Sequence, residues 1–99
     1  MNPDLTLTCK IIRINDLEVF STGVKKITVV VMALHRRKVE NFEIIFYNRY
    51  INEAEKMNSF GIYKIQCLIH SEVFTDKKTE EKTYFTHLIG IKVDKIGNV

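Results

Sequence analysis

The chain has 99 residues, 45% of them hydrophobic and 27% charged, the balance of one globular domain and not of a disordered chain. Its longest apolar run, Val29 to Leu34, falls far short of the roughly 20 residues that span a bilayer, and Met1-Asn2-Pro3-Asp4 starts no secretory signal. The net charge of +3 is too small to be a nucleic-acid footprint by itself, but all of its excess lies in residues 1–50, with Arg36-Arg37-Lys38 the densest point.

The first strand runs from about Leu5 to Ile14. Leu5, Leu7, Cys9 and Ile11 alternate with polar residues, the period of a half-buried strand. Ile12 and Ile14 continue the pattern on the other face, which calls for a bulge or sharp bend. Asn15-Asp16 and Ser21-Thr22-Gly23 are turn signals. Ile27 to Leu34 is a β-branched run without clear alternation, expected to be buried on both faces. In so small a domain, the second face is expected to meet another copy of the chain. A third strand runs from about Asn41 to Tyr47, with Phe42, Ile44 and Phe46 on one face and Glu43, Ile45 and Tyr47 on the other.

A helix follows. Asn48 reads as its N-cap. Tyr50, Ile51, Ala54 and Met57 form its apolar stripe. Asn58-Ser59-Phe60-Gly61 stops it, with Gly61 supplying the left-handed residue. The fourth strand spans about Ile62 to Phe74, and Asp76 to Glu81 is a hairpin loop. The fifth spans about Lys82 to Val93, with Phe85, His87, Ile89, Ile91 and Val93 on one side. Gly90 falls on the other side, where a backbone or bend comes close. Three strands, one helix and two strands give an all-β chain with one helix. The expected fold is a five-stranded Greek-key OB-fold barrel over residues 1–99, its helix between strands three and four. An Sm-like barrel would place its helix first.

No enzyme chemistry is legible. Cys9 and Cys67 are too few for a disulfide framework and read as small buried hydrophobes in a reducing, cytoplasmic compartment. His35, His70 and His87 lack metal-ligand spacing. Glu80-Glu81 is a solvated pair on a polar hairpin. No Gly-rich phosphate loop and no nucleophile–base arrangement appears, and no cofactor is expected.

The stretch from Phe42-Glu-Ile-Ile-Phe-Tyr through Arg49-Tyr-Ile-Asn-Glu-Ala-Glu-Lys to Phe60-Gly61 resembles a signature region of bacterial single-stranded DNA-binding proteins. There an apolar third strand leads into a helix of the type aromatic-Gly-Lys/Arg-x-Ala-Glu and then a Lys-Gly turn. Thr75-Asp76-Lys77-Lys78 and Tyr84 resemble that family's hairpin and the start of its fifth strand. The resemblance spans roughly residues 5–96. Asn48 stands where the family has glycine, Phe60 where it has lysine, and the chain has no tryptophan and no acidic tip.

The resemblance implies base-stacking positions at His35, Tyr47 and Phe74. Each has basic neighbours in sequence: Arg36, Arg37 and Lys38 beside His35, Arg49 beside Tyr47, and Lys77 and Lys78 beside Phe74. Flat rings beside cations are what a single-strand groove needs. With Tyr84 they form the expected nucleic-acid-binding set. The implied function is binding of single-stranded DNA without sequence preference, in replication, recombination or repair. The implied assembly is a homodimer or homotetramer, with replication proteins as possible further partners and no membrane. Two alternatives stand beside it. One is a replisome adaptor resembling primosomal replication protein N, with modest single-strand binding. The other is an OB-fold protein-interaction module that has lost DNA binding.

Overall fold

The computed structural model describes residues 2–98. The strands are β1 (Leu5–Ile14), β2 (Glu18–Val19), β3 (Lys25–Ala33), β4 (Asn41–Tyr47), β5 (Gly61–Thr75) and β6 (Lys82–Asn98). A 3-10 turn, Asn48–Tyr50, runs into a single-turn helix α1 (Ile51–Ala54) between β4 and β5. The sheet order is β1-β5-β6-β4-β3-β2, and β1 also pairs with β3. That extra pairing closes five strands into a barrel and leaves β2 as a flap on β3. Every pairing is antiparallel except β4–β6, which is parallel and only two residue pairs long. This is the OB-fold, with the helix in the position expected from the order of elements.

Period-two alternation builds the interior. Cys9 and Ile11, Val29 and Val31, Ile44 and Phe46, and Tyr63, Ile65 and Cys67 point inward from four strands with almost no exposure, and Val93 joins them from β6. Ala54 and Met57 close one end of the barrel from the helical segment. Burial of a side chain of this size contributes about 1.5–3 kcal/mol. Both cysteines are free, and burial pushes each thiol up to about 12, so they pack as hydrophobes.

Among the described residues, three register shifts interrupt the ladders, one of them at the end of β6 where Ile96 is extra, and the other two set which residues of β1 and β6 face out. The β1–β3 register shifts between Ile11 and Arg13. Ile12 is thereby ejected to the surface, and Ile14 turns back to pack on the core. The second lies in β6, where Cys67 pairs with Gly90 but Gln66 pairs with Lys92. The additional residue, Ile91, reverses the facing of the strand. Phe85, His87 and Ile89 therefore face outward while Ile91 and Val93 face inward, and the five do not share one side. Gly90 meets the Phe46 ring, where a Cβ would lie 2.2 Å from Cε1. What comes close at Gly90 is a side chain and not a backbone, and no larger residue fits without moving Phe46.

Two further expectations are corrected, and a third is met on one face within the single chain. The run from Ile27 buries one face in its own barrel. Ile27, Val29, Val31 and Ala33 are buried, whereas Thr28, Val30, Met32 and Leu34 are only half-buried. Asn48 is not the helix N-cap. Its φ is 44°, and its Oδ1 accepts the Lys25 N–H at 3.1 Å, tying β4 to the start of β3. The left-handed residue after the helix is Phe60, at φ 66°, and not Gly61. Gly61 instead opens β5 beneath the Tyr63 ring, which approaches its Cβ position to 2.6 Å. The Tyr63 hydroxyl accepts the Asn58 N–H at 2.9 Å.

Glu53 pins α1 to the barrel. Its Oε1 accepts the Val93 N–H at 2.9 Å, and its Oε2 lies 2.7 Å from Lys56 Nζ. Burial works against ionisation, but the Lys56 and Val93 hydrogen bonds outweigh it and hold this carboxyl below its ordinary range. No helix among the described residues is long and apolar enough to cross a membrane.

Candidate nucleic-acid interface

β5 and β6 leave the barrel together as a two-stranded ribbon. β1 pairs with β5 only as far as Cys67, and the Asp4 carboxylate accepts the Ile69 N–H at 2.8 Å just beyond. From Ile69 to Thr86 every residue is exposed. Ladder pairing sorts the ribbon into two faces. His70, Glu72 and Phe74 stand opposite His87, Phe85 and Thr83 on one face. Ile69, Ser71, Val73 and Thr75 stand opposite Leu88, Thr86, Tyr84 and Lys82 on the other.

The first face continues the outer wall of β4, β5 and β6. It carries Phe74, 56% exposed, and Phe85, 46% exposed, packed edge to face with centroids 5.2 Å apart and planes at 84°. Such a pair is worth about 0.5–1.5 kcal/mol beyond its buried area, so each ring holds the other in place while both stay open to solvent. Closer to the barrel, Glu72 lies 3.5 Å from His87 Nε2 and 4.0 Å from His70 Nε2. These are ion pairs only when an imidazole is protonated. Beyond them a shallow groove of about 470 Å³ runs past Leu68 and Ile89 to Tyr47.

Phe74 and Tyr47 therefore share one outer surface. Tyr84, 66% exposed, does not share it, because it pairs with Val73 on the reverse of the ribbon. Arg49 is engaged by Tyr50. Its Nη2 donates to the Tyr50 hydroxyl at 2.7 Å, and the guanidinium stacks 4.8 Å from that ring. The cation beside Tyr47 is Lys26, its cross-strand partner. Lys26 Nζ lies 5.4 Å from the Phe20 ring and 3.5 Å from the Glu18 carboxylate.

His35 sits exposed at φ 62° in the β3–β4 turn. Arg36 spends its charge locally, on Glu40 at 2.9 and 3.2 Å. Arg37 and Lys38 are exposed and have no ion-pair partner among the described residues. Because β4 and β6 are parallel with Ile44 opposite Leu88, this turn and the ribbon lie at the same end of β4. Tyr47 and Lys26 lie at the other end, six residues on, which is about 20 Å at roughly 3.3 Å per residue. At the ribbon tip, Asp76 Oδ1 accepts the N–H groups of Lys78 and Thr79 at 2.7 and 3.3 Å. Lys77 and Lys78 are exposed there, but Asp76, Glu80 and Glu81 share the loop, so the tip is close to neutral.

The surface thus joins two phenyl rings and a tyrosine; the turn with His35, Arg37 and Lys38 lies at the ribbon end of β4, and Lys26, bridged to Glu18, at the other. Lys26, Phe20 and Phe85 belong to this surface and were not among the residues expected to form it. Phe85 was legible only as an apolar residue of the fifth strand. Lys26 could be placed beside Tyr47 only once the β3–β4 register was known.

No protein-family model matches the sequence, and no curated protein matches it. The structure is similar to that of Rim1, a mitochondrial single-stranded DNA-binding protein from S. cerevisiae, with a TM-score of 0.70, 11% sequence identity and 100% of each chain covered. At that identity the likeness is one of fold, and the fold common to the two chains is the OB-fold barrel.

Proposed function

We propose that this chain is a single OB-fold domain that binds single-stranded DNA without sequence preference, in replication, recombination or repair, and is not an enzyme. One observation carries the reading. Phe74 and Phe85 are held edge to face in solvent, on the ribbon face that continues to Tyr47. Two large apolar rings left open on a projecting ribbon contribute little to the core, and a cluster of that kind marks a contact surface. Stacking of a base on such a ring is worth about 1–3 kcal/mol and tolerates any base. Arg37, Lys38, Lys77 and Lys78 supply cations for the phosphates, and His35 adds a further flat ring. That Rim1 is a single-stranded DNA-binding protein of the same fold agrees with this reading.

Assembly into a homo-oligomer belongs to the same proposal. Val30, Met32 and Ile12 leave apolar area on the outer wall of β1 and β3 for a second copy to cover. A modest-affinity replisome adaptor is the second reading. Asp4 and Glu72 put carboxylates in the groove, and the ribbon tip has almost no net charge, so electrostatic attraction is weaker than the count of lysines suggests.

Titration of labelled oligo-dT, followed by anisotropy at several salt concentrations, separates the readings. Tight binding, with log affinity falling about 0.7 per neutralised phosphate against log salt, supports the first. Weak binding with a shallow slope favours the adaptor. An equal preference for duplex, or no binding at low salt, removes both.

A further inference from the structure

β4 and β6 meet at only two residue pairs, Ile44–Leu88 and Ile45–Ile89. On the ribbon side of that contact the two strands splay apart. Asn41–Glu43 pair only with β3, and Lys82–His87 only with β5. Two strand edges thus face one another across a groove of about 570 Å³, their ladder groups unpartnered among the described residues. Open edges are templates for another strand. Phe42, Thr86 and Leu88 line the inner side of the groove, and Glu43 and His87 the outer side.

We propose that this wedge docks an extended strand from a partner protein, adding it to the open edge of β4 or β6. The bound strand alternates a small apolar residue, facing Phe42 and Leu88, with a lysine or arginine facing Glu43. Three observations select this occupant. Main-chain donors and acceptors line both walls, and a polypeptide strand offers the matching repeat. No lysine or arginine lines the groove, and its one carboxylate, Glu43, repels a phosphate backbone. Glu43 has no ion-pair partner among the described residues, so a cation opposite it meets an uncommitted charge. The wedge lies on the other side of the Ile45–Ile89 contact from the Tyr47 groove, and the inference does not rest on DNA binding.

A display library of blocked peptides of about six residues, the usual strand length, provides the probe. Valine, isoleucine or alanine alternates with lysine, arginine or threonine. The tightest member is titrated into labelled full-length protein and followed by amide chemical shifts. Shifts confined to Asn41–Glu43 and Lys82–Leu88 are expected. Glu43→Lys should weaken this peptide about tenfold, and a glutamate in place of its basic residue should restore binding to that variant. Methylation of alternate peptide nitrogens should abolish binding. Oligo-dT affinity of Glu43→Lys should not fall, which separates this site from the DNA reading. The proposal is overturned if no library member binds, if the shifts map elsewhere, or if neither charge reversal nor N-methylation changes the affinity.

Discussion

Ile65 and Ile69 lie four residues apart on one strand, with the same facing in the ladder, yet the first is fully buried and the second half-exposed. The inner half of the β5–β6 hairpin has β1 on one side, the β4 contact on the other and the barrel core beneath it. The outer half has none of these. β1 pairs no further than Cys67, and β4 pairs with β6 only at Leu88 and Ile89. One continuous alternating pattern thus builds core at one end and open apolar faces at the other. The difference comes from which strands run out first, not from the residues themselves.

The largest test of that contrast is a matched pair of truncations. Ile65→Ala should cost about 2–5 kcal/mol through lost burial and a cavity. Ile69→Ala should cost less than about 1 kcal/mol, because its site is already half in water. Urea denaturation of the two variants reads both values, and equal losses would erase the distinction between barrel and ribbon. Next comes Gly90→Val, which drives a branched side chain into the Phe46 ring and should cost about 3 kcal/mol. Combination with Phe46→Leu should recover part of that loss, and a Gly90→Val protein of unchanged melting temperature would contradict the close packing.

A smaller effect concerns the helix. The Glu53 carboxyl is held below its ordinary range in the folded protein. Its stabilisation is therefore fully present above the unfolded carboxylate range and is lost as pH falls through the lower, folded one. Glu53→Gln should lower stability at neutral pH by about 1–2 kcal/mol and flatten the acid limb of a stability-against-pH curve. A parallel downward shift of the whole curve would mean that the charge itself contributes nothing. The smallest expected change is that of Tyr84→Ala on oligo-dT affinity, less than about twofold, because Tyr84 faces the reverse of the ribbon. A loss as large as that from Phe85→Ala would put DNA on both faces.

Much of the barrel was legible in the sequence. Alternation located Cys9 and Ile11, Ile44 and Phe46, and Tyr63, Ile65 and Cys67. The phase slip at Ile12 marked the bulge in β1, and Gly90 marked a close approach, though not that the Phe46 ring makes it. The bulge at Ile91 was hidden, because the stretches of β6 on either side of it alternate correctly and only pairing with β5 shows the extra residue, as it does for Ile96. Asn48 misled for a similar reason. Its residue type suits a helix cap, but the start of β3 is close enough to take the side chain first. Proximity along the sequence was the weakest guide to the surface. Arg49 follows Tyr47 by two positions yet serves Tyr50, whereas Lys26, 21 positions before Tyr47, lies directly across from it. Phe74 and Tyr84 flank one hairpin and look out from opposite faces.

The central claim is that the ribbon's aromatic face is built for binding and not for folding. The double variant Phe74→Ala/Phe85→Ala tests it most directly, with oligo-dT affinity and urea stability measured on the same preparation. The account predicts an affinity loss of about tenfold or more, from about 1–3 kcal/mol per stacked base, with stability changed by about 1 kcal/mol or less. Unchanged affinity with a stability loss of several kcal/mol would make the pair a folding element and contradict the account.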